Sequence, residues 1–198
     1  MQPALARALR SIAALARVTP DTQEYRVRLA SAVRLRLAVY RDLSTVLRLS
    51  DESTLEPDAD TADAREDRRR TARLVAHAQA VFLALLTLIR HRLGPSFPTL
   101  PPAVQDGMRV LDAAVGDTLD ALADFIDRRR GGPLPDLAAR LVEVDARVES
   151  MAATDPGGTP GSSYVAERDH LALARDLVHQ VAILRDALAP LSPEAAVR

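Results

Sequence analysis

The chain has 198 residues, 47% of them hydrophobic and 27% charged, with a net charge of −1. That is long enough for one sizeable core and too neutral to offer nucleic acid a field, so nucleic acid is excluded as a partner on charge. The absence of cysteine rules out disulfides and thiolate chemistry, and every basic side chain other than histidine is an arginine.

Aromatic residues are sparse, at 3%. A core with so few rings must be built from Leu, Val, Ala and Ile, which suits closely packed helices. No stretch alternates with period two for long enough to make a strand, so the expected fold is an all-α bundle of about six helices in one domain spanning 1–198.

The first helix is expected over Pro3–Val18. Pro3 is tolerated in a first turn, and the segment lacks the apolar run of a signal peptide; residues 1–18 read as a juxtamembrane helix. Thr19-Pro20-Asp21 supplies a cap, an N1 proline and a first-turn acid for a second helix ending near Leu49. Leu29, Val33, Tyr40, Leu43 and Leu47 are its expected apolar face. Arg34, Arg41 and Arg48, spaced by seven, share a polar stripe.

Ser50–Asp63 contains Pro57 and several aspartates and reads as a loop. A third helix is expected over Ala64–Leu93, with a favourable Glu66–Arg70 pair in its first turns and Arg90, His91 and Arg92 in its last. Gly94-Pro95 stops it. Its stretch Leu74–Ile89 is nearly all apolar, although it holds His77, Gln79 and Thr87. At about 1.5 Å per residue it falls short of a hydrocarbon core ~30 Å thick, and extension meets arginine at both ends. It is therefore expected as the central arm of a long helical hairpin, covered on every side.

Ser96–Pro102 is a proline-rich connector. The fourth helix, Ala103–Arg130, carries Val104, Met108, Leu111, Val115, Leu119, Leu122 and Ile126 at steps of three and four, and ends at Arg128-Arg129-Arg130-Gly131. A shorter fifth helix is expected over Asp136–Met151. After a Gly/Pro loop at Thr154–Ser162, a sixth runs over Tyr164–Leu188, and 189–198 is an irregular tail.

Asp117, Asp120, Asp124 and Asp127 are spaced three, four and three, which puts four carboxylates on one helix face. Such a row can hold a metal only with a second ligand-bearing helix, and Glu143, Asp145 and Glu149 form no matching pattern. The expectation is a solvated face that pairs with Arg34, Arg41 and Arg48, within the chain or between copies. Glu167-x-x-His170 has di-iron spacing but occurs once, where such a site needs two. His170 and His179 point to opposite faces, His77 is expected as a hydrogen-bonded core residue, and His91 at a helix end. There is no phosphate-binding glycine loop and no nucleophile–histidine–acid constellation. The expectation is no enzyme, no metal and no cofactor.

Four stretches carry a family resemblance: Tyr40 to Pro57 (YRDLSTVLRLSDESTLEP), Ala78 to Arg92 (AQAVFLALLTLIRHR), Leu100 to Ala103 (LPPA) and Val110 to Asp124 (VLDAAVGDTLDALAD). Together, over about residues 5–188, they resemble the cytosolic helical domain of the fusaric acid resistance (FUSC) family, which is grouped with aromatic acid exporters. The resemblance rests on helix order, Arg/Leu/Ala texture and the Glu56-Pro57 break, and it brings no catalytic motif. It implies a domain on the cytoplasmic side of a bacterial inner membrane. Its partners would be its own transmembrane domain, which this chain lacks, further copies of itself and the membrane surface. Its role would be oligomerisation or regulation of organic-acid export, with transport residues elsewhere. The alternative is a stand-alone soluble helical regulator that binds a metal or a partner helix.

Overall fold

The computed structural model describes residues 2–18, 25–52, 61–92, 101–128, 133–154 and 162–189. Six helices account for nearly all of them: α1 Gln2–Ala16, α2 Tyr25–Glu52, α3 Ala62–Arg92, α4 Pro102–Arg128, α5 Leu137–Thr154 and α6 Ser162–Leu188. There is no strand among the described residues. The all-α bundle read from the sequence is the observed architecture. The Thr19-Pro20 start, the Glu56-Pro57 break, the Gly94-Pro95 stop, the Arg129–Gly132 terminus and the tail beyond 189 lie outside the described residues.

Two helix starts show how the ends are satisfied. Thr61 Oγ1 accepts from the Ala64 amide at 3.2 Å, and Asp136 Oδ1 accepts from the Ala139 amide at 3.0 Å. Each is an N-cap oxygen bonded to the third helical N–H, one of the donors left open by the first turn. On α3, Glu66 lies 3.9 Å from both Arg69 and Arg73, so its ion contacts run to these two and not to Arg70 as expected.

The helix at the heart of the bundle is α1. It packs on α4 and α2 and also touches α3. Leu9, Ile12 and Leu15 are completely buried, as are Ala6, Ala8 and Ala13. Alanine at these positions lets neighbouring helices approach closely, and the leucines fill what remains. The segment read as juxtamembrane is thus an integral core element. All seven apolar positions expected on α4 are buried.

Two expectations for the central hairpin are corrected. On α2 the buried positions are Val39, Asp42, Leu43 and Val46, whereas Val33, Tyr40 and Leu47 are exposed. The helix carries two apolar stripes on different sides, and α1 covers the one through Val39 and Val46. On α3, Leu74, Val75, Ala78, Val81, Phe82, Leu85 and Leu88 are buried, chiefly against α6, but Leu83 is exposed, as are Gln79 and Thr87. The helix is long and apolar enough to cross a membrane, and 44% of its most apolar window is buried in the bundle. It is therefore one-sided, not enclosed all round. Tyr40 meets Phe82 edge to face at 5.1 Å, which joins the outer side of α2 to α3.

Candidate functional site: a charged seam, a buried ion pair and a basic cleft

The four aspartates of α4 are brought to one face, as their spacing requires, but the arginines that meet them come from α1. Arg10 Nη2 donates to Asp124 at 2.7 Å and to Asp127 at 3.2 Å. Arg17 reaches Asp117 at 2.7 Å and Asp120 at 2.8 Å. Arg10 and Arg17 are seven residues apart, so one stripe of α1 lies along one stripe of α4. The hydrogen bond to Asp124 raises the Arg10 pKa, and the same bond holds the Asp124 carboxyl below its usual range. Burial opposes the charge on Arg17, yet its bonds to Asp117 and Asp120 outweigh burial and raise its pKa.

Gly116 makes the second contact possible. A Cβ there would sit 2.7 Å from Arg17 Nε, so the guanidinium crosses α4 where there is no side chain. The expected partners, Arg34, Arg41 and Arg48, do not meet the aspartates within this chain. Arg34 donates to Ser31 at 3.3 Å, Arg41 lies 3.8 Å from its neighbour Asp42, and Arg48 pairs with Glu52 at 2.5 Å.

A second ionic site lies inside the bundle. Arg92, at the end of α3, makes a two-pronged contact with Asp112 of α4, at 2.5 and 3.1 Å. Their side chains are only 6% and 3% exposed. Burial pushes the Asp112 carboxyl up, against the pull of the Arg92 charge. Arg92 Nε also donates to Nε2 of His170 on α6, at 3.1 Å. That bond requires the lone pair on Nε2 and so puts the ring proton on Nδ1. Burial, followed by the charges of Arg92 and His91, lowers the His170 pKa to about 3. The His91 ring stacks on His170 with centroids 5.7 Å apart.

Sequence reading placed His91 and Arg92 at a helix end and gave Asp112 no special role; the fold makes them a cross-link between α3, α4 and α6. His77, expected in the core, is half-exposed, and His179 is exposed. The Glu167 side chain lies outside the described residues. Among the described residues, no group of three histidine, aspartate or glutamate side chains is placed to hold a metal ion.

The third feature is a cleft between α1 and α2 of about 510 Å³, lined by Arg7, Arg10, Ser11, Arg41, Asp42 and Thr45. Its floor is the Asp42 carboxylate, to which Ser11 Oγ donates at 3.5 Å. Beyond Arg41, the outer side of α2 exposes Val33, Leu37, Tyr40 and Leu47; Leu37, the most open of them, is 58% exposed.

Comparison with protein-family models, with curated proteins and with solved structures finds no match.

Proposed function

We propose that the chain is a non-catalytic docking and regulatory domain, and that it serves an exporter of the kind its sequence resembles, on the cytoplasmic side of a bacterial inner membrane. The observation that carries this reading is the outer face of α2. Val33, Leu37 and Leu47 are exposed along one side, with Tyr40, half-exposed and packed on Phe82 of α3, between them. Their steps of four, three and seven residues are those of a helix that packs on another helix. Arg34, Arg41 and Arg48 are all exposed and run beside the stripe at a constant spacing of seven.

That charge row selects the partner. Two copies meeting through this stripe would bring arginine against arginine, which disfavours pairing of α2 with itself. The fitting partner is an amphipathic helix with an apolar seam and acidic flanks, held through leucine and tyrosine anchors and steered by charge. On this reading it belongs to the exporter's remaining chain.

The test is to tag the native gene and fractionate cells, comparing wild type with Leu37→Glu. Leu37 is exposed enough that the change should leave stability within about 0.5 kcal/mol. Wild type in the membrane fraction, with loss of exporter assembly in the variant, supports the proposal. Wild type recovered wholly in the soluble fraction, with no membrane-protein partner after cross-linking, refutes it.

A further inference from the structure

We infer that the cleft between α1 and α2 is a binding site for a small hydroxylated oxyanion, a sugar phosphate or a hydroxycarboxylate. Arg7, Arg10 and Ser11 lie at positions i, i+3 and i+4 of α1 and so share a face, while Arg41, Asp42 and Thr45 come from the facing turn of α2. The volume of about 510 Å³ falls in the range of small-molecule sites. All six lining residues carry polar or charged heads, with the apolar stems of the long side chains between them.

The charges are not used up within the protein. Of the three guanidinium groups, only Arg10 is committed, with Nη2 turned to Asp124 and Asp127. Arg7 makes no ion pair with any described residue, and the nearest acid to Arg41 is its own neighbour Asp42, at 3.8 Å. Two planar forks with open donors at one mouth match the geometry of a carboxylate or phosphate.

Asp42 supplies a second, independent requirement. It is 7% exposed, yet its nearest donors stand off at 3.5 Å from Ser11 and 3.8 Å from Arg41. A buried carboxylate accepts several hydrogen bonds when satisfied. A bare anion would leave it short and face its charge. A ligand that sets its oxyanion on Arg7 and Arg41 and a hydroxyl on Asp42 answers both demands. This site does not depend on the exporter reading and would equally suit a free-standing regulator.

Calorimetric titration tests it with two matched pairs: citrate against propane-1,2,3-tricarboxylate, which lacks the hydroxyl, and ribose 5-phosphate against inorganic phosphate. At least one hydroxylated probe should bind with a submillimolar Kd, about tenfold tighter than its counterpart, the equivalent of one good hydrogen-bonded contact. Which pair responds separates the carboxylate from the phosphate source. Arg7→Ala, at an exposed position without an ion pair, should keep the melting temperature and weaken binding about tenfold. Asp42→Asn should remove most of the discrimination within the pair; if it unfolds, Arg41→Ala takes its place as the second binding test. No binding of either hydroxylated probe at about 10 mM, a weak-binding limit, overturns the inference. So does equal binding within both pairs, or binding that Arg7→Ala leaves unchanged.

Discussion

The buried His170 should make the bundle acid-sensitive in a way that one substitution removes. Its pKa is held near 3 in the fold, against 6.5 for a free imidazole. The unfolded chain therefore binds a proton on this side chain, as the pH falls through 6.5, that the folded chain refuses. Stability from this group is complete above about pH 6.5 and is lost as the pH falls toward 3, the direction required when the unfolded state binds more protons. Between pH 7 and pH 5 the loss works out at about 2 kcal/mol. The figure barely changes if the folded pKa is 4 instead of 3, because pH 5 lies above both. The groups around the ring are Arg92 and His91 from α3 and Asp112 from α4. Asp112, whose pKa is raised, acts in the opposite sense: the fold gains relative stability as that carboxyl takes up its proton. The assay is urea unfolding of wild type and His170→Gln at pH 7 and pH 5. Glutamine keeps an acceptor for Arg92 and does not titrate, so Asp112 and the other histidines largely cancel in the comparison. Wild type should lose about 2 kcal/mol more than the variant on going to pH 5. Equal losses would show that His170 takes up its proton in the fold without penalty, and the reading of the cross-link as proton-excluding would fail.

The same cross-link predicts that Arg92→Met alone costs about 3–5 kcal/mol, since it strands the Asp112 carboxylate in the core. Adding Asp112→Leu should recover most of that loss; chemical denaturation of both variants checks it, and a double variant as unstable as the single one would contradict it. At the seam, Gly116→Ala has two opposed effects. Alanine favours a helix interior by about 1 kcal/mol, but its Cβ displaces the Arg17 guanidinium from Asp117 and Asp120. The net change in wild type should be near zero, whereas the same substitution in an Arg17→Ala background should stabilise by about 1 kcal/mol. Thermal melts of the four proteins in that cycle decide the point.

The helices were legible because their apolar periods are long and clean. The seven positions read on α4 are all buried. What was hidden was the choice between two stripes on one helix. Val33, Tyr40 and Leu47 on α2 step as regularly as Val39, Leu43 and Val46, and only the packing of α1 decides which goes inward. Periodicity gives the existence of an apolar face and says nothing about which neighbour covers it. The buried ion pair did leave a trace. Asp112 lies four residues after Met108, three before Val115 and seven before Leu119, so it falls on the apolar stripe of α4. An acid on that register must be buried and must find a cation. His170 likewise shares a register with Ala174, Leu177, Val181 and Leu184 on α6. Asp42, between Val39, Leu43 and Val46, is the same signal again, and it leads to the floor of the cleft.

The aspartate row of α4 shows why pairing charges along a sequence is weaker than pairing them in a fold. A basic stripe on α2 and an acidic stripe on α4 are complementary on paper, but α1 lies against both helices and brings arginines of its own. A second copy whose Arg34, Arg41 or Arg48 approached these aspartates would have to displace Arg10 and Arg17. The exchange would break exposed pairs and form exposed pairs of the same kind, leaving nothing to offset the lost freedom of two molecules. Charge reversal at Asp120 should therefore act on the stability of the α1–α4 contact before it acts on association. Arg41, with no distant acid among the described residues, stands between the cleft and the apolar stripe of α2. A ligand that fixes Arg41 in the cleft withdraws one of the three charges that steer an acidic partner helix. Binding in the cleft and docking on α2 would then be antagonistic, and by linkage each weakens the other by the same factor.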